Sequence, residues 1–555
     1  MFKKYPTLAQ AEARTTDEVI ARSGQFDAIV VGAGASGGLA ARLLCEAGLQ
    51  TLVIDAGWTP PVTRAPLRRA TSGLVSTLAN PAALRVLPPR VIYKGRQALK
   101  ALGKVRQPVQ TNCYAWERDP AAFVDDIDNP YETPEDKPYA WLRTHAVGGR
   151  VRVPGHGRQY YRFAEREFAP EDGLSPPWPF APGELDPWYG RVEPWLDLAG
   201  ARDGIDSVPD SEISRPLCLT EAEEDLKTAV IGRFNRARVT AGRYAAPMES
   251  LGAASITGNL WCRRGAVARQ IPSDADGNAA GVSWIEPRTK AVREARAPIV
   301  FVCASPLEST RLLMLSGSSH APDGLGASSG VLGKNLMDHV LVKVEGIGGK
   351  LAGDPEPPED GRCLFLPRFD RAMEGDTFGH RGYGIQLYQT PGDGARSWFT
   401  AVAFGEMTPR ADNHIRLHPT RKNAIGLPIL HIESSLSARE RTLAASMGKA
   451  LRELADVAGA ELSAKGEAPA TPGISAHECG TARMGSAPDT SVLDPHNQCW
   501  DMPGLYLTDA SSFPSQGFQN PTLTVLALTA RAVDYAVREC GGSGVAQESE
   551  APVRV

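Results

Sequence analysis

Short apolar runs and one stretch of helical periodicity alternate at the beginning of the chain. FDAIVVGAG and LQTLVIDAG are rich in β-branched residues and predict two short buried strands. The segment between them, ASGGLAARLLCEAG, has the apolar spacing of a helix, with small residues in its first turn and Gly48 at its end. A strand, a helix and a strand within about 30 residues predict a βαβ unit with parallel strands.

Mixed patterns follow in the rest of the chain. APIVFVCAS predicts a buried strand, and HIRLHP and PILHIESS predict two more. TLAASMGKALRELADVAGAEL carries apolar residues along one face and predicts an amphipathic helix. From Trp58 to about Tyr139 the sequence is irregular, proline-rich and partly basic, which is typical of a solvated surface. We expect residues 1–25 to form an N-terminal arm and residues 541–555 a disordered tail.

Length and composition indicate a globular protein with more than one domain. The 555 residues exceed what one hydrophobic core usually holds, while 42% hydrophobic and 22% charged residues are ordinary globular values. The net charge of −4 gives no reason to expect nucleic acid as a partner. Nine cysteines are scattered singly without a CxxC pair, which favours a reducing compartment over a disulfide framework.

No apolar segment predicts export or insertion into a membrane. The first 26 residues contain no long apolar run, and IVVGAGASGGLAA is interrupted by glycines and too short to cross a bilayer. We therefore expect a cytoplasmic protein with no integral membrane segment. Export to the periplasm together with a partner that carries its own signal stays open.

A glycine-rich turn joins the first predicted strand to the first helix. The motif is Gly32-Ala33-Gly34-Ala35-Ser36-Gly37, which has the GxGxxG spacing. Gly32 permits the tight turn, Gly34 lets the backbone approach a pyrophosphate, and Gly37 lets helix and strand pack closely. The helix N-terminus then offers its N–H groups to the phosphates. Asp55 ends the second strand, where a carboxylate can accept hydrogen bonds from ribose hydroxyls. These features predict a dinucleotide site without deciding between FAD and NAD.

Three motifs near the C-terminus follow in a fixed order. They are HECGTARMG at 477–485, LYLTDAS at 505–511 and NPTLT at 520–524. Together with the N-terminal glycine motif they resemble the glucose–methanol–choline (GMC) family of flavoprotein oxidoreductases, in the same order from about residue 26 to residue 538. Ala510 stands where the family usually has glycine, which is a small change.

The resemblance implies an α/β fold in which a Rossmann-like FAD-binding domain is interleaved with an α+β substrate domain. The FAD-binding domain would combine residues 26–58, 255–340 and 475–538. The substrate domain and its cap segments would use residues 59–254 and 341–474. Beside the GxGxxG motif, the cofactor contacts that the resemblance implies are Asp55, Ala56, Gly148, Gly149, Val267, Asp509, Ala510, Asn520, Pro521 and Thr522.

The resemblance also places His477 and Asn520 at the reactive edge of the flavin. Oxidation of an alcohol moves a hydride from the carbinol carbon to flavin N5 in this family, so the hydroxyl proton must pass to a base. A histidine suits that task near neutral pH, and His477 is the expected base. The carboxamide of Asn520 is expected to orient the substrate oxygen. Outside this context, His477 would be an ordinary core histidine and Asn520 a turn residue before proline.

A third segment bears on how FAD is attached. WLRTHAVGGR, followed by GRQYYR, resembles bacterial family members close to sugar and glycoside dehydrogenases. Some of those relatives bind FAD covalently through a histidine of this loop, but the aligned residue here is Val153, and His145 and His156 are out of register. We therefore expect non-covalent FAD. His339 is expected to be structural, and no histidine has the spacing of a metal site.

The favoured function is oxidation of an alcohol group on a sugar, a glycoside or a polyol. The alternatives are oxidation of an aromatic or aliphatic primary alcohol, a redox-silent lyase that retains FAD, an NAD-dependent enzyme, and a non-catalytic subunit. Oxygen, a quinone or a redox partner protein could each accept the electrons. No recognisable motif in the sequence indicates the exact substrate or the oligomeric state.

Overall fold

The computed structural model describes most of the chain between residues 25 and 540. The described residues are 25–57, 106–116, 119–153, 158–349, 362–373, 378, 381–391, 397–463 and 468–540. The expected arm up to residue 24, the partly basic stretch at 58–105, His156 and the expected tail lie outside the described residues.

Strands and helices alternate in the first part of the chain, and longer strands dominate after residue 340. The strands are β1 Ala28–Val31, β2 Thr51–Asp55, β3 Ala199–Gly200, β4 Arg215–Pro216, β5 Thr240–Ala241, β6 Leu260–Arg264, β7 Val267–Gln270, β8 Gly281–Ile285, β9 Val292–Arg296, β10 Ile299–Val302, β11 Val340–Gly348, β12 Leu364–Leu366, β13 Tyr383–Pro391, β14 Ser397–Gly405, β15 His414–Lys422, β16 Pro428–Glu433, β17 Ala460–Leu462 and β18 Leu505–Leu507. The α-helices are α1 Ala35–Glu46, α2 Glu165–Phe168, α3 Asp186–Leu196, α4 Glu221–Arg233, α5 Ser250–Ile256, α6 Pro306–Leu315, α7 Asp370–Met373, α8 Ala438–Ala458 and α9 Thr522–Glu539.

A five-stranded parallel sheet forms the first layer. Its order is β18-β10-β1-β2-β6, and each neighbouring pair is parallel. Every residue of β1 and of β10 is buried, as expected for strands that are covered by helices on both faces. The βαβ unit predicted from the sequence is confirmed as β1-α1-β2, and the α/β fold class is confirmed with it.

A six-stranded sheet forms the second layer. Its order is β17-β11-β14-β13-β12-β5, with antiparallel pairing throughout. Helix α8, the amphipathic helix predicted from its periodicity, packs on β11 and β14 with its apolar face buried. A smaller antiparallel sheet joins β7, β8 and β9.

The hairpin of β15 and β16 stands apart from both large sheets. Its apolar face clusters with helix α6, where Ile415 and Ile432 lie with Leu307. Both strands match the runs from which they were predicted.

Chain order and spatial order differ strongly in the parallel sheet. β18 and helix α9 come from the C-terminal part of the chain, yet β18 pairs with β10 and α9 packs against α1. The carboxyl ends of β1, β2, β10 and β18 and the N-termini of α1, α6 and α9 therefore surround one region.

Within the ranges given above, no helix combines the length and the apolar character that a bilayer crossing requires. All nine cysteines are among the described residues, and none of them forms a disulfide.

Candidate active site

The turn after β1 is packed so closely that no side chain fits at Gly32 or Gly37. Gly32 has a φ angle of +96°, and a Cβ atom there would overlap the carbonyl oxygen of Cys303. A Cβ atom at Gly37 would overlap the carbonyl oxygen of Gly32. Glycine is therefore required at both positions, for conformation and for space at Gly32 and for space at Gly37.

Gly34 faces open space instead. A Cβ atom on Gly34 would have no heavy atom within 4 Å, and a Cβ atom on Gly149 would lie 3.1 Å from the Cα atom of Gly34. Gly34 is also the N-cap of α1, so no side chain caps the first turn of this helix. The helix N-terminus and the loop of Gly149 thus present bare backbone to the same space.

Three helix N-termini meet at this space. Gly34 and Ala35 begin α1, Ser305 and Pro306 begin α6, and the third helix, α9, begins after Pro521. All of them line a cavity of about 300 Å³, which adjoins a second cavity of about 460 Å³. Because helix N-termini carry partial positive charge, their convergence favours an anionic ligand such as a pyrophosphate.

Most of the residues predicted to contact a cofactor or to take part in catalysis line the smaller cavity. They are Gly32, Gly34, Ala35, Ser36, Asp55, Ala56, Gly149, Val267, His477, Asp509, Ala510, Asn520, Pro521 and Thr522. Gly148 lines the adjoining cavity, and Gly37 lies behind the turn and lines neither.

Two buried carboxylates tie the loops around the cavity together. Asp55 accepts hydrogen bonds from the backbone N–H of Ala33 at 2.7 Å and of Gly57 at 2.6 Å. Asp509 accepts from the hydroxyl of Ser309 and, at 3.0 Å, from the backbone N–H of Ser511. Burial raises the pKa of both carboxyl groups above their ordinary values.

His477 and Asn520 lie side by side at one end of the cavity. The Nε2 atom of His477 is 3.2 Å from the Nδ2 atom of Asn520. Asp338 fixes the loop before His477, since its carboxylate accepts from the backbone N–H of His477 at 2.9 Å and of Gly473 at 2.6 Å. This clamp holds Ala476 at a φ angle of +58°, which non-glycine residues seldom adopt.

His339 contacts the ring of His477 on its other side. The two Nδ1 atoms are 2.8 Å apart, and the Nε2 atom of His339 is 2.7 Å from the carbonyl oxygen of Gly517. Burial lowers the pKa of His339 to about 4, so this ring is neutral near pH 7. His339 was expected to be structural, and the structure places it in contact with the ring of His477.

Asn520 is oriented in a similar way by strand β13. Its Oδ1 atom accepts a hydrogen bond from the Nε2 atom of Gln386 at 2.6 Å, and the hydroxyl of Tyr388 donates to the Oε1 atom of Gln386 at 2.8 Å. Gln386 and Tyr388 are two residues apart, so they lie on the same face of the strand. Both were missed from the sequence, where residues 340–440 carry no recognisable motif.

A buried ion pair lies directly after His477. Glu478 has no exposed side-chain surface and forms a two-pronged ion pair with Arg150, with distances of 3.2 and 2.8 Å. Burial opposes the charge on Arg150, but the attraction of Glu478 outweighs it and raises the pKa of Arg150. The pair ties the loop of Gly149 to the segment that carries His477.

The residue aligned with the covalent attachment position faces away from this chemistry. Val153 is buried in an apolar cluster with Cys113 and Leu142. His145 does line the cavity, and burial lowers its pKa to about 4. Among the residues that the structure describes, no group of histidine, cysteine and carboxylate side chains is arranged to hold a metal ion.

The C-terminal part of the chain matches a known protein family. Residues 409–529, which include the His477 and Asn520 motifs, match the family described as GMC oxidoreductase. The matched segment also contains β15, β16, α8 and β18.

Two characterised relatives match most of the chain. The 2-methyl-1,2-propanediol dehydrogenase of Mycolicibacterium austroafricanum is 28% identical over 467 residues, which cover 73% of this chain and 84% of the relative. The paromamine 6'-oxidase of Streptomyces fradiae is 25% identical over 541 residues, which cover 90% of this chain and 89% of the relative.

Solved structures share the fold. An FAD-dependent oxidoreductase from Chaetomium thermophilum superposes with a TM-score of 0.63 at 14% identity, covering 93% of this chain and 100% of the other. At this level of identity the likeness shows the fold alone.

Proposed function

This chain belongs to the GMC oxidoreductase family, and we propose that it oxidises an alcohol group of a polyol or a sugar with His477 as the base. It is an FAD-dependent enzyme acting on substrates of the alcohol and sugar type. The role of His477, the narrower substrate class and the non-covalent state of FAD are parts of the proposal.

The cavity suits FAD in its extended form. The open N-terminus of α1 and the bare backbone of Gly34 suit the pyrophosphate, and Asp55 lies where ribose hydroxyls would be bound. Val267 would border the adenine, and the loop of Gly149, which approaches Gly34 and is tied to the His477 segment through Arg150, would border the flavin side of the pyrophosphate. When bound, FAD supplies the acceptor for the hydride that leaves the carbinol carbon, at flavin N5. The segments 26–58, 255–340 and 475–538, which contribute the five parallel strands, are proposed to form the FAD-binding domain.

The arrangement of His477 and Asn520 is the observation that carries the proposal. An alcohol has one O–H donor and an oxygen that accepts. Nε2 of His477 and Nδ2 of Asn520 are 3.2 Å apart, so a hydroxyl beside the pair can donate its proton to Nε2 and accept from the amide of Asn520. The carbinol is thereby held with its proton directed at a base, which general base catalysis requires.

The environment of this pair suits a neutral, hydroxyl-rich substrate. Gln386 and Tyr388 provide polar groups beside Asn520, and the Arg150–Glu478 pair beside His477 is internally neutralised. The names of the two relatives include a diol and paromamine, which supports a polyol or sugar as the substrate.

Anaerobic reduction of the bound flavin tests the proposal. The purified holoenzyme is mixed without oxygen with a panel of diols, polyols, sugars, glycosides and aromatic alcohols, and loss of the flavin absorbance is recorded. Bleaching by a polyol or sugar is expected, and admission of oxygen or a quinone then identifies the electron acceptor. Bleaching by aromatic alcohols alone would contradict the substrate class, and no bleaching by any alcohol would favour the redox-silent alternative.

A further inference from the structure

We propose that His339 is a positioning residue that holds His477 in the tautomer protonated on Nδ1, so that the lone pair of Nε2 is the proton acceptor. The inference deepens the proposed function, because it rests on His477 acting as the base. It concerns a residue that lines neither of the two cavities and acts through the ring of His477.

One backbone carbonyl determines where the proton of His339 sits. The carbonyl oxygen of Gly517 lies 2.7 Å from Nε2 of His339, and a carbonyl oxygen can only accept a hydrogen bond. Nε2 of His339 therefore carries the hydrogen and donates it. Because the ring is buried and neutral, its Nδ1 atom has a lone pair and can only accept.

The ring of His339 then determines the tautomer of His477. The Nδ1 atoms of the two rings are 2.8 Å apart, and the rings are nearly perpendicular, with an interplanar angle of 88°. An acceptor on His339 requires a donor on His477, so Nδ1 of His477 carries a hydrogen. In a neutral imidazole the second nitrogen is then without hydrogen, which makes Nε2 of His477 the acceptor.

The side of His477 that faces Asn520 agrees with this assignment. Oδ1 of Asn520 is engaged by Gln386, so the NH₂ group of Asn520 is the part that faces Nε2 of His477. An N–H on Nε2 would meet the N–H of Asn520, and two donors cannot bond each other. The opposite tautomer would also leave two bare nitrogens facing each other between the histidine rings. Each buried hydrogen bond left unmade is destabilising.

The backbone of His477 is restrained by the residue before His339. Asp338 accepts from the backbone N–H of His477 at 2.9 Å, so two consecutive residues hold the backbone and the ring of the same histidine. When Nε2 takes up a proton, the Nδ1–H bond to His339 is kept, and the acceptor on His339 stabilises the positive charge of the imidazolium. In serine hydrolases a carboxylate stabilises the catalytic imidazolium in this way, whereas here the neutral ring of His339 does so.

The tautomer can be measured directly in the holoenzyme without substrate. Protein labelled with ¹⁵N at histidine would be recorded by long-range ¹H–¹⁵N spectroscopy, with His477 assigned by its absence in His477→Asn. We expect a hydrogen on Nδ1 and none on Nε2 near neutral pH. A hydrogen on Nε2 would overturn the inference whatever the enzyme's activity. The proposed function fails separately, if loss of the His477 side chain leaves flavin reduction unchanged.

Two substitutions distinguish positioning from structural support. In His339→Asn the amide oxygen takes the place of Nδ1 and can still accept from His477, while the bond to Gly517 is lost. In His339→Gln the terminal amide reaches toward Gly517, and no acceptor remains at the position of Nδ1. We expect His339→Asn to keep the tautomer and to reduce its flavin within about tenfold of the wild-type rate, the worth of one hydrogen bond.

His339→Gln should lose the tautomer and slow flavin reduction further, toward the 10²–10⁴-fold that a positioned base provides. A purely structural role predicts the reverse order, since glutamine retains the bond to Gly517, and that order would refute the inference. The matched control is His496→Asn. The ring of His496 stacks on Tyr535 outside the cavity, so its removal should change neither the tautomer of His477 nor the rate of flavin reduction. FAD content and thermal midpoint are recorded for each variant. If both His339 variants fail to fold, the wild-type spectrum decides.

Discussion

Nε2 of His477 and Nδ2 of Asn520 lie 3.2 Å apart although the two residues are separated by 43 positions in the chain. Each side chain is held from behind by a different element, His477 by His339 and Asn520 by Gln386 of β13. The two side chains are thereby held next to each other before any substrate arrives. Such preorganisation lowers the entropic cost of aligning a hydroxyl.

The roles of His477 and Asn520 can be tested by replacing each residue with alanine. His477→Ala should slow anaerobic flavin reduction by about 10²–10⁴-fold, the usual contribution of a general base. Asn520→Ala should cost about tenfold, because it removes one orienting hydrogen bond and keeps the proton acceptor. Rapid-mixing absorbance of the flavin measures both, with His496→Ala as the control. Wild-type reduction rates in His477→Ala at every pH would show that another group takes the proton.

The orientation of the Asn520 amide should depend on Gln386. Gln386→Leu removes the donor to Oδ1 of Asn520, so the amide can turn its oxygen toward His477 and flavin reduction should slow by about tenfold. Tyr388→Phe keeps the bond between Gln386 and Asn520 and should cost less. Reduction rates and substrate KM values for the two variants check this order. Equal losses would mean that both residues act by contacting substrate.

Alanine substitutions at Gly34 and Gly37 in the first turn should affect different properties of the protein. Gly37→Ala places a Cβ atom against the carbonyl oxygen of Gly32, so we expect a lower thermal midpoint and little bound FAD. Gly34→Ala meets no protein atom within 4 Å, so the apoprotein should keep its thermal midpoint. FAD binding to Gly34→Ala should nevertheless weaken, because the methyl group occupies the space through which the backbone approaches the pyrophosphate. Fluorescence titration of the apoprotein with FAD, beside thermal unfolding, separates the two effects.

FAD should be released when the protein is denatured. Val153, the residue aligned with the covalent position, has an apolar side chain that cannot form a bond to flavin. After acid precipitation, the yellow colour should therefore be found in the supernatant. Colour in the pellet would contradict non-covalent binding and would direct attention to His145, which lines the cavity.

A buried carboxyl group behind the site should make stability depend on pH. Burial raises the pKa of Glu406 from 4.5 to about 7, although Arg381 and Arg368 lower it in part. The folded protein therefore holds this proton between about pH 4.5 and 7 while the unfolded chain releases it, and stability falls as pH rises through that range. Glu406→Gln should lose less stability than wild type between pH 5 and 8.

The size of that difference follows from the pKa shift, at about 1.4 kcal/mol for each pKa unit. Thermal midpoints of wild type and Glu406→Gln over this pH range measure it. The exposed Glu345, which pairs with Lys343 at the surface, is the matched control, and Glu345→Gln should follow wild type. Parallel pH profiles for wild type and Glu406→Gln would show that Glu406 is ionised throughout.

The sequence was informative where a local pattern has one structural solution. The GxGxxG turn between two β-branched runs predicted β1, α1 and β2, because a glycine turn with this spacing fits few other contexts. HIRLHP and PILHIESS predicted the strands β15 and β16, although not their pairing, and the amphipathic pattern predicted α8. His477 and Asn520 were singled out because their motifs resemble a known family.

The groups behind the two side chains could not be found in this way. His339 meets His477 across 138 positions, and Gln386 meets Asn520 across 134. These contacts depend on how β11 and β13 lie in the second sheet relative to the C-terminal loops, which periodicity along the chain does not encode. A buried glutamine in a strand has no distinctive sequence pattern until its partner is known.

The position of β18 and α9 has a consequence for biosynthesis. β18 completes the parallel sheet beside β10, and α9 supplies the third helix N-terminus at the cavity. A growing polypeptide can form β1, α1 and β2 early, since they are adjacent in sequence. The cofactor pocket has no complete wall until the first turn of α9, near Val525, has been synthesised. We therefore expect FAD to bind only after the C-terminal part of the chain has been made.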